Sequence, residues 1–179
     1  MRSLYAALGA IAVAGALSGV LTVDPAQAED TWYADEGSTL VLGVGYTDPI
    51  QDGADAADFR LDYRHGEGLW FLKPFAGIQA TSEGSVWGGA GVYIDIPIYG
   101  RIFLTGSAAV GGYSQGGGKD LGSVLEFRTQ GEVTYRFDNG MRLGGAVSHI
   151  SNASTADDNP GINFVSAIFV VPLGAVIPD

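Results

Sequence analysis

The stretch LGSVLEFRTQGEVTYRF, residues 121–137, decides the fold, together with the Asp138-Asn139-Gly140 that follows it. Leu121, Leu125, Phe127, Val133, Tyr135 and Phe137 fall on one parity; Glu126, Arg128, Gln130, Glu132 and Arg136 fall on the other. A period of two marks a strand with one apolar and one polar face. Asp-Asn-Gly between two such runs is a hairpin signal. The next run mirrors the first. Met141, Leu143, Gly145 and Val147 alternate with Arg142, Gly144, Ala146 and Ser148, and His149 and Ser151 continue the apolar parity.

The pattern extends in both directions. Ser38 to Thr47, Asp58 to His65, Leu69 to Ala80, Val86 to Ile96, and Tyr99 to Tyr113 each carry an apolar parity, and Ile162 to Leu173 closes the series. In the third of these, Trp70, Leu72, Ala76 and Ile78 share one face. Pro97 ends the fourth, where a missing donor does least harm. Turn-rich segments separate the strands: residues 48–55, Gly66-Glu67-Gly68, Ser82-Glu83-Gly84, the glycine-rich residues 114–120, and residues 152–161. No helical period of useful length interrupts them. About eight strands result, most near the roughly 9–11 residues that cross a bilayer at a tilt.

An even number of antiparallel strands joined by short turns suits closure, which leaves no open edge. Two barrels fit. A lipocalin-like soluble barrel turns its apolar face inward; an outer-membrane barrel turns it outward to lipid. Glu126, Arg128, Glu132 and Arg136 cross-pair well in a narrow lumen, and Tyr and Trp recur near strand ends, as at a membrane interface. The predicted fold is therefore all-β, an eight-stranded antiparallel up-and-down transmembrane β-barrel.

Composition sets the setting. Residues 4–23 are almost wholly apolar, Arg2 precedes them, and Ala26-Gln27-Ala28 follows a break at Asp24-Pro25. This reads as a secretory signal peptide spanning residues 1–28 and cut after Ala28, leaving one barrel domain over residues 29–179. Residues 29–37 read as a short lead-in carrying Trp32 and Tyr33. There is no cysteine, so a core or closed strand pairing must hold an exported chain together. A net charge of −11 argues against nucleic acid as a partner.

His149 and Ser151 are the candidate chemistry. Side chains at i and i+2 of a strand point the same way, roughly 6.6 Å apart along it. A base and a hydroxyl on a lipid-facing surface cost free energy unless paired, and ionisable groups there are functional candidates. His149 as general base and Ser151 as nucleophile give an esterase pairing. Asn152 or nearby loop N–H groups offer an oxyanion donor. With a hairpin loop centred near Ala156, Asn163 faces His149 and is the candidate orienter. His65 ends a strand and reads as a turn residue. Asp157 and Asp158 read as solvated loop carboxylates. Gly116-Gly117-Gly118-Lys119 lacks the following helix that a phosphate loop requires.

The run Ser148-His149-Ile150-Ser151-Asn152-Ala153-Ser154 with downstream Asp158-Asn159-Pro160-Gly161 resembles the outer-membrane lipid A 3-O-deacylases of the PagL type, many of which carry the name acyloxyacyl hydrolase. Residues 118–128 and 135–140 are similar to that family too. The resemblance implies an eight-stranded outer-membrane barrel that hydrolyses an ester-linked 3-hydroxyacyl chain of lipid A at a site on its outer wall, with no metal or other cofactor. It implies His149 as base, Ser151 as nucleophile, and Asn152 with the Ser154 N–H as oxyanion hole. The family's glutamate falls at Asn163. Asparagine holds a histidine tautomer but does not stabilise imidazolium as a carboxylate does, and such an exchange costs on the order of 10⁴ in rate. Asp157 or Asp158 is the alternative acid. The tail after Leu173 also departs from the terminal aromatic common in such barrels.

The leading expectation is thus a lipid A deacylase of the bacterial outer membrane, with lipopolysaccharide as substrate and membrane lipid around the barrel. Its rivals are an inactive barrel of the same fold with a structural or lipid-contacting role, and a soluble carrier of a hydrophobic ligand. The acyl position and the oligomeric state, a homodimer included, are left open.

Overall fold

The computed structural model describes residues 37–48 and 56–175. The expected signal peptide, the lead-in with Trp32 and Tyr33, most of the 48–55 turn and the last four residues lie outside the described residues. Eight strands follow one another: β1 (Thr39–Thr47), β2 (Ala57–Arg64), β3 (Lys73–Thr81), β4 (Val86–Tyr99), β5 (Ile102–Ser114), β6 (Leu125–Arg136), β7 (Arg142–Ser151) and β8 (Ile162–Pro172). Each pairs antiparallel with the next, and β1 pairs with β8, so the sheet is a closed barrel. A short 3₁₀ turn, Leu173–Ala175, follows β8.

The wall is inside out relative to a soluble protein. Leu42, Val44, Phe59, Leu61, Ile78, Val92, Val110, Val133, Leu143, Val147 and Val165 point outward and are exposed. Asp58, Arg60, Asp62, Arg64, Gln79, Glu126, Arg128, Gln130 and Glu132 are buried in the lumen. Bare strands of this kind require lipid around them, because water would meet a continuous apolar belt. The soluble carrier is excluded on the same ground: its lumen would be apolar, and this one is filled with charge. The fold is the expected transmembrane barrel.

Several of the lumen charges are paired across the barrel, whereas the Glu126 carboxylate has no hydrogen-bond partner among the described residues. Arg128 reaches Asp62 at 2.8 Å from β6 to β2. Arg64 pairs with Glu132, and Arg60 and Glu132 both bond Gln130. The Arg128 guanidinium also lies over the rings of Trp87 (4.5 Å) and Phe75 (5.4 Å), a cation–π contact in a water-poor space. Gly77 makes room for this lattice: a Cβ there would lie 1.8 Å from Asp62 Oδ1.

Three details depart from the sequence pattern. Leu69 and Leu72 pair across a tight turn with Trp70 at φ +59°, so β3 starts four residues later than expected. Pro97 does not end β4; the strand runs on to Tyr99 past a register shift at Pro97 and Tyr99. Leu121 keeps the apolar parity but leaves the strand, folding into the β5–β6 loop where it is fully buried. At the Asp138-Asn139-Gly140 hairpin only Gly140 takes a left-handed conformation, at φ +80°.

Arg128→Ala strips Asp62 of its hydrogen-bonded partner, leaving it the 3.7 Å contact to Arg60, and removes the guanidinium that lies over Phe75 and Trp87. Breaking a buried pair from one side costs about 3–5 kcal/mol. The expected outcome is a lower urea midpoint for loss of heat-modifiable gel mobility in detergent micelles, whereas Arg101→Ala, removing an exposed pair with Asp138, leaves the midpoint within error.

Candidate functional site

Strand alternation alone carries two of the site residues to the outer wall. β7 ends with Ser148 in the lumen, His149 outward, Ile150 fully buried in the lumen, and Ser151 outward. His149 and Ser151 are both partly exposed at the rim where β1, β5 and β7 end. Across the hairpin, His149 stands opposite Asn163 in the register of β7 and β8. Asn163 Oδ1 lies 2.8 Å from His149 Nδ1. The sequence arithmetic that paired these positions thus matches the ladder. Among the described residues Ser151 Oγ has no hydrogen-bond partner.

Gly161 shapes the histidine seat. Its φ is +60°, and a Cβ at this position would lie 2.7 Å from His149 Cε1 and 3.1 Å from Nε2. Only glycine satisfies both the backbone and the ring.

The turn after Ser151 is strained. Ala153 (φ +54°) and Ser154 (φ +63°) are consecutive non-glycine residues in the left-handed region, and the Thr155 N–H donates to the Asn152 carbonyl at 3.0 Å. Such conformations cost about 1 kcal/mol or more each and persist where neighbours enforce them. Asn152 is the enforcer. It is fully buried, and its Nδ2 donates to the carbonyls of Leu121 (3.0 Å) and Asp158 (2.7 Å), tying the β5–β6 loop to the β7–β8 loop. Its Oδ1 accepts the Ser154 N–H at 2.9 Å.

This bears on the expected oxyanion hole. The Asn152 amide and the Ser154 N–H are committed to the loop and to each other, so neither donor is free as the turn stands. Two other donors belong to the same loop. The Ala153 N–H has no hydrogen-bond partner among the described residues. The exposed Asn159 side chain accepts the Asn152 N–H through Oδ1 at 3.1 Å, while its Nδ2 makes only a long 3.4 Å contact to Ser154 Oγ.

Asn163 itself is held from the other side. Asp48 Oδ1 accepts the Asn163 backbone N–H at 2.8 Å and its Nδ2 at 3.3 Å, and Asp48 Oδ2 takes Lys119 Nζ at 3.0 Å. Asp48 is 6% exposed. Asp157 and Asp158 are exposed in the loop, and their side chains make none of these contacts. The sequence reading missed Asp48 because it directly follows β1, remote from β8 along the chain. The closure of β1 on β8, where Thr47 pairs with Phe164, was the signal that could have found it. His65, at the opposite rim, has Nδ1 3.3 Å from the Tyr63 hydroxyl and 3.4 Å from Ser38 Oγ, a surface contact consistent with the turn role read from the sequence. No group of acidic, histidine or cysteine side chains among the described residues is placed to hold a metal ion.

Comparison with known proteins bears on the whole wall. Residues 58–172 match the family model described as lipid A 3-O-deacylase (PagL). A crystal structure of the outer membrane enzyme PagL is similar with a TM-score of 0.63 at 21% identity, covering 75% of this chain and 99% of that one. Neisserial surface protein A (TM-score 0.52, 12% identity, 75% of this chain and 95% of that one) and a de novo designed transmembrane β-barrel (0.52, 11%, 74% and 92%) share the barrel. No curated protein matches the sequence.

Gly161→Ala tests the histidine seat. The added methyl displaces the imidazole, and the expected outcome is loss of the His149–Asn163 hydrogen bond, read as disappearance of the downfield Nδ1 proton in NMR spectra of the micelle-embedded barrel. An unchanged Nδ1 proton would mean the ring does not rest on Gly161.

Proposed function

The chain belongs to the lipid A 3-O-deacylase (PagL) family, and on that premise we propose that it is a serine esterase of the bacterial outer membrane that removes an ester-linked 3-hydroxyacyl chain from lipid A. The observation that carries this reading is the 2.8 Å contact between His149 Nδ1 and Asn163 Oδ1, with Ser151 two residues along on the same lipid-facing side. The amide oxygen accepts the Nδ1 proton, leaving Nε2 as the base. Ser151 Oγ attacks the acyl carbonyl as His149 takes its proton. The tetrahedral intermediate collapses, and the sugar alcohol leaves with that proton. His149 then draws a proton from water as that water attacks the acyl-enzyme, the ester bond to Ser151 breaks, and His149 returns that proton to Ser151 Oγ as the fatty acid is released. The Ala153 N–H and the Asn159 carboxamide supply the oxyanion donors; Asn152 and Ser154 hold the turn that presents them.

The site's position fits a lipid substrate. It lies on the outer wall at the rim, so an acyl chain reaches it from within the bilayer and its polar head stays at the interface. A second reading keeps the barrel and drops the chemistry: Asn163 stands where the family has glutamate, as in a scaffold switched off.

Mass spectrometry of lipid A from cells expressing each variant separates the two. The expected result is loss of one hydroxyacyl chain with the wild type and none with Ser151→Ala. Asn163→Ala, which removes the carbonyl that orients the ring, lowers turnover by about 10²-fold or more. Lipid A left intact by the wild type but cleaved by Asn163→Glu would establish the switched-off scaffold instead.

A further inference from the structure

We propose that Asp48 is the positioning residue of this site, supplying through the Asn163 amide the negative charge that a triad acid would supply directly. This deepens the esterase reading and rests on it for its catalytic consequence, though not for its structural one.

An asparagine next to a histidine is ambiguous, because its amide can present oxygen or NH₂. Asp48 removes the ambiguity. Its carboxylate only accepts, so the Asn163 edge facing it must be NH₂, which donates to Asp48 Oδ1 at 3.3 Å. The opposite edge, facing His149 Nδ1 at 2.8 Å, is then the oxygen. An acceptor there requires Nδ1–H, so the free lone pair sits on Nε2. One carboxylate fixes an amide orientation, and the amide fixes a tautomer. The carboxylate also polarises the amide, making Oδ1 a better acceptor as His149 becomes imidazolium.

Asp48 is built for the position. The Asn163 N–H donates to the same Oδ1 at 2.8 Å, and the Asp48 N–H donates back to the Asn163 carbonyl at 2.7 Å. Asp48 holds a left-handed backbone, φ +39°, which aspartate and asparagine tolerate better than most residues. Lys119 faces its other oxygen and partly offsets its charge. Among the described residues, the other charged groups of the loops at this rim, Glu83, Asp120, Asp157 and Asp158, are exposed.

The chain has two histidines, so imidazole NMR titration in detergent micelles resolves His149, with His65 as internal control. Asp48→Asn keeps the shape and the acceptor for the Asn163 N–H, and heat-modifiable mobility verifies the folded barrel. The expected result is a His149 pKa below that of the wild type, a mixed tautomer signal, and an unmoved His65. In the Asn163→Glu background, which brings a carboxylate to the ring itself, Asp48→Asn no longer lowers the pKa. Turnover on lipid A falls about tenfold in Asp48→Asn with KM unchanged, and Asn163→Glu restores it. An unchanged His149 pKa and tautomer in a folded Asp48→Asn barrel overturns the proposal even if the wild type deacylates lipid A. A shifted pKa in a protein that leaves lipid A intact sinks the esterase reading and sustains the positioning role.

Discussion

Everything in this protein depends on the seam where β1 pairs with β8. A sheet in lipid has no water to satisfy its edges, so each unpaired N–H or C=O in the hydrocarbon costs several kcal/mol. Nine consecutive partners, from Thr39 with Pro172 to Thr47 with Phe164, close that edge. One further backbone bond, from the Asp48 N–H to the Asn163 carbonyl, continues the ladder past the end of β1, and the Asp48 carboxylate accepts the Asn163 N–H beside it. The contact that closes the barrel is thus the contact that holds the candidate site. No loop insertion or accessory domain is needed to bring the carboxylate there; the seam does it as a consequence of closure.

Closure also sets what the two faces can contain. Once the belt of Leu, Val and Phe turns to lipid, the narrow lumen receives every other side chain. It cannot fill with small apolar residues alone, and the solution is a lattice of Arg, Asp, Glu and Gln with aromatic rings laid against the guanidinium of Arg128. Glycines at contact points such as Gly77 let that lattice fit. The lattice stiffens the wall from inside, and a stiff wall matters for a site built on its outside. His149 and Ser151 alternate with Ser148 and Ile150, which are buried in the lumen.

Much of this was legible in the chain itself. The alternation in residues 121–137 and 141–151 fixed strand identity and the two faces, and charge on the inward parity separated the lipid barrel from a soluble one. Hairpin arithmetic placed Asn163 opposite His149. What failed is instructive. Parity extended Leu121 into a strand and Trp70 onto a lipid face, because a period of two says nothing of where backbone pairing stops. The hydrogen bonds of the buried Asn152 side chain depend on how two loops pack and on a left-handed turn formed by Ala and Ser, residues that do not announce it. Asp48 was invisible for a different reason: its neighbour is 115 residues away, and only the closed topology brings them together.

The departure at Asn163 then acquires a physical sense. A glutamate at an exposed, lipid-side position places a full charge at the edge of the hydrocarbon, where ionised carboxylates are costly. Here the exposed position carries a neutral amide, and the charge is withdrawn one residue into the seam, buried at 6% exposure beside Lys119. The desolvation cost is met by an ion pair and two N–H donors rather than by the lipid boundary. The same withdrawal weakens the field felt at the imidazole, since an amide intervenes and a lysine opposes it. Asn163 with Asp48 therefore keeps charge out of lipid while holding a buried carboxylate one amide away from the His149 ring.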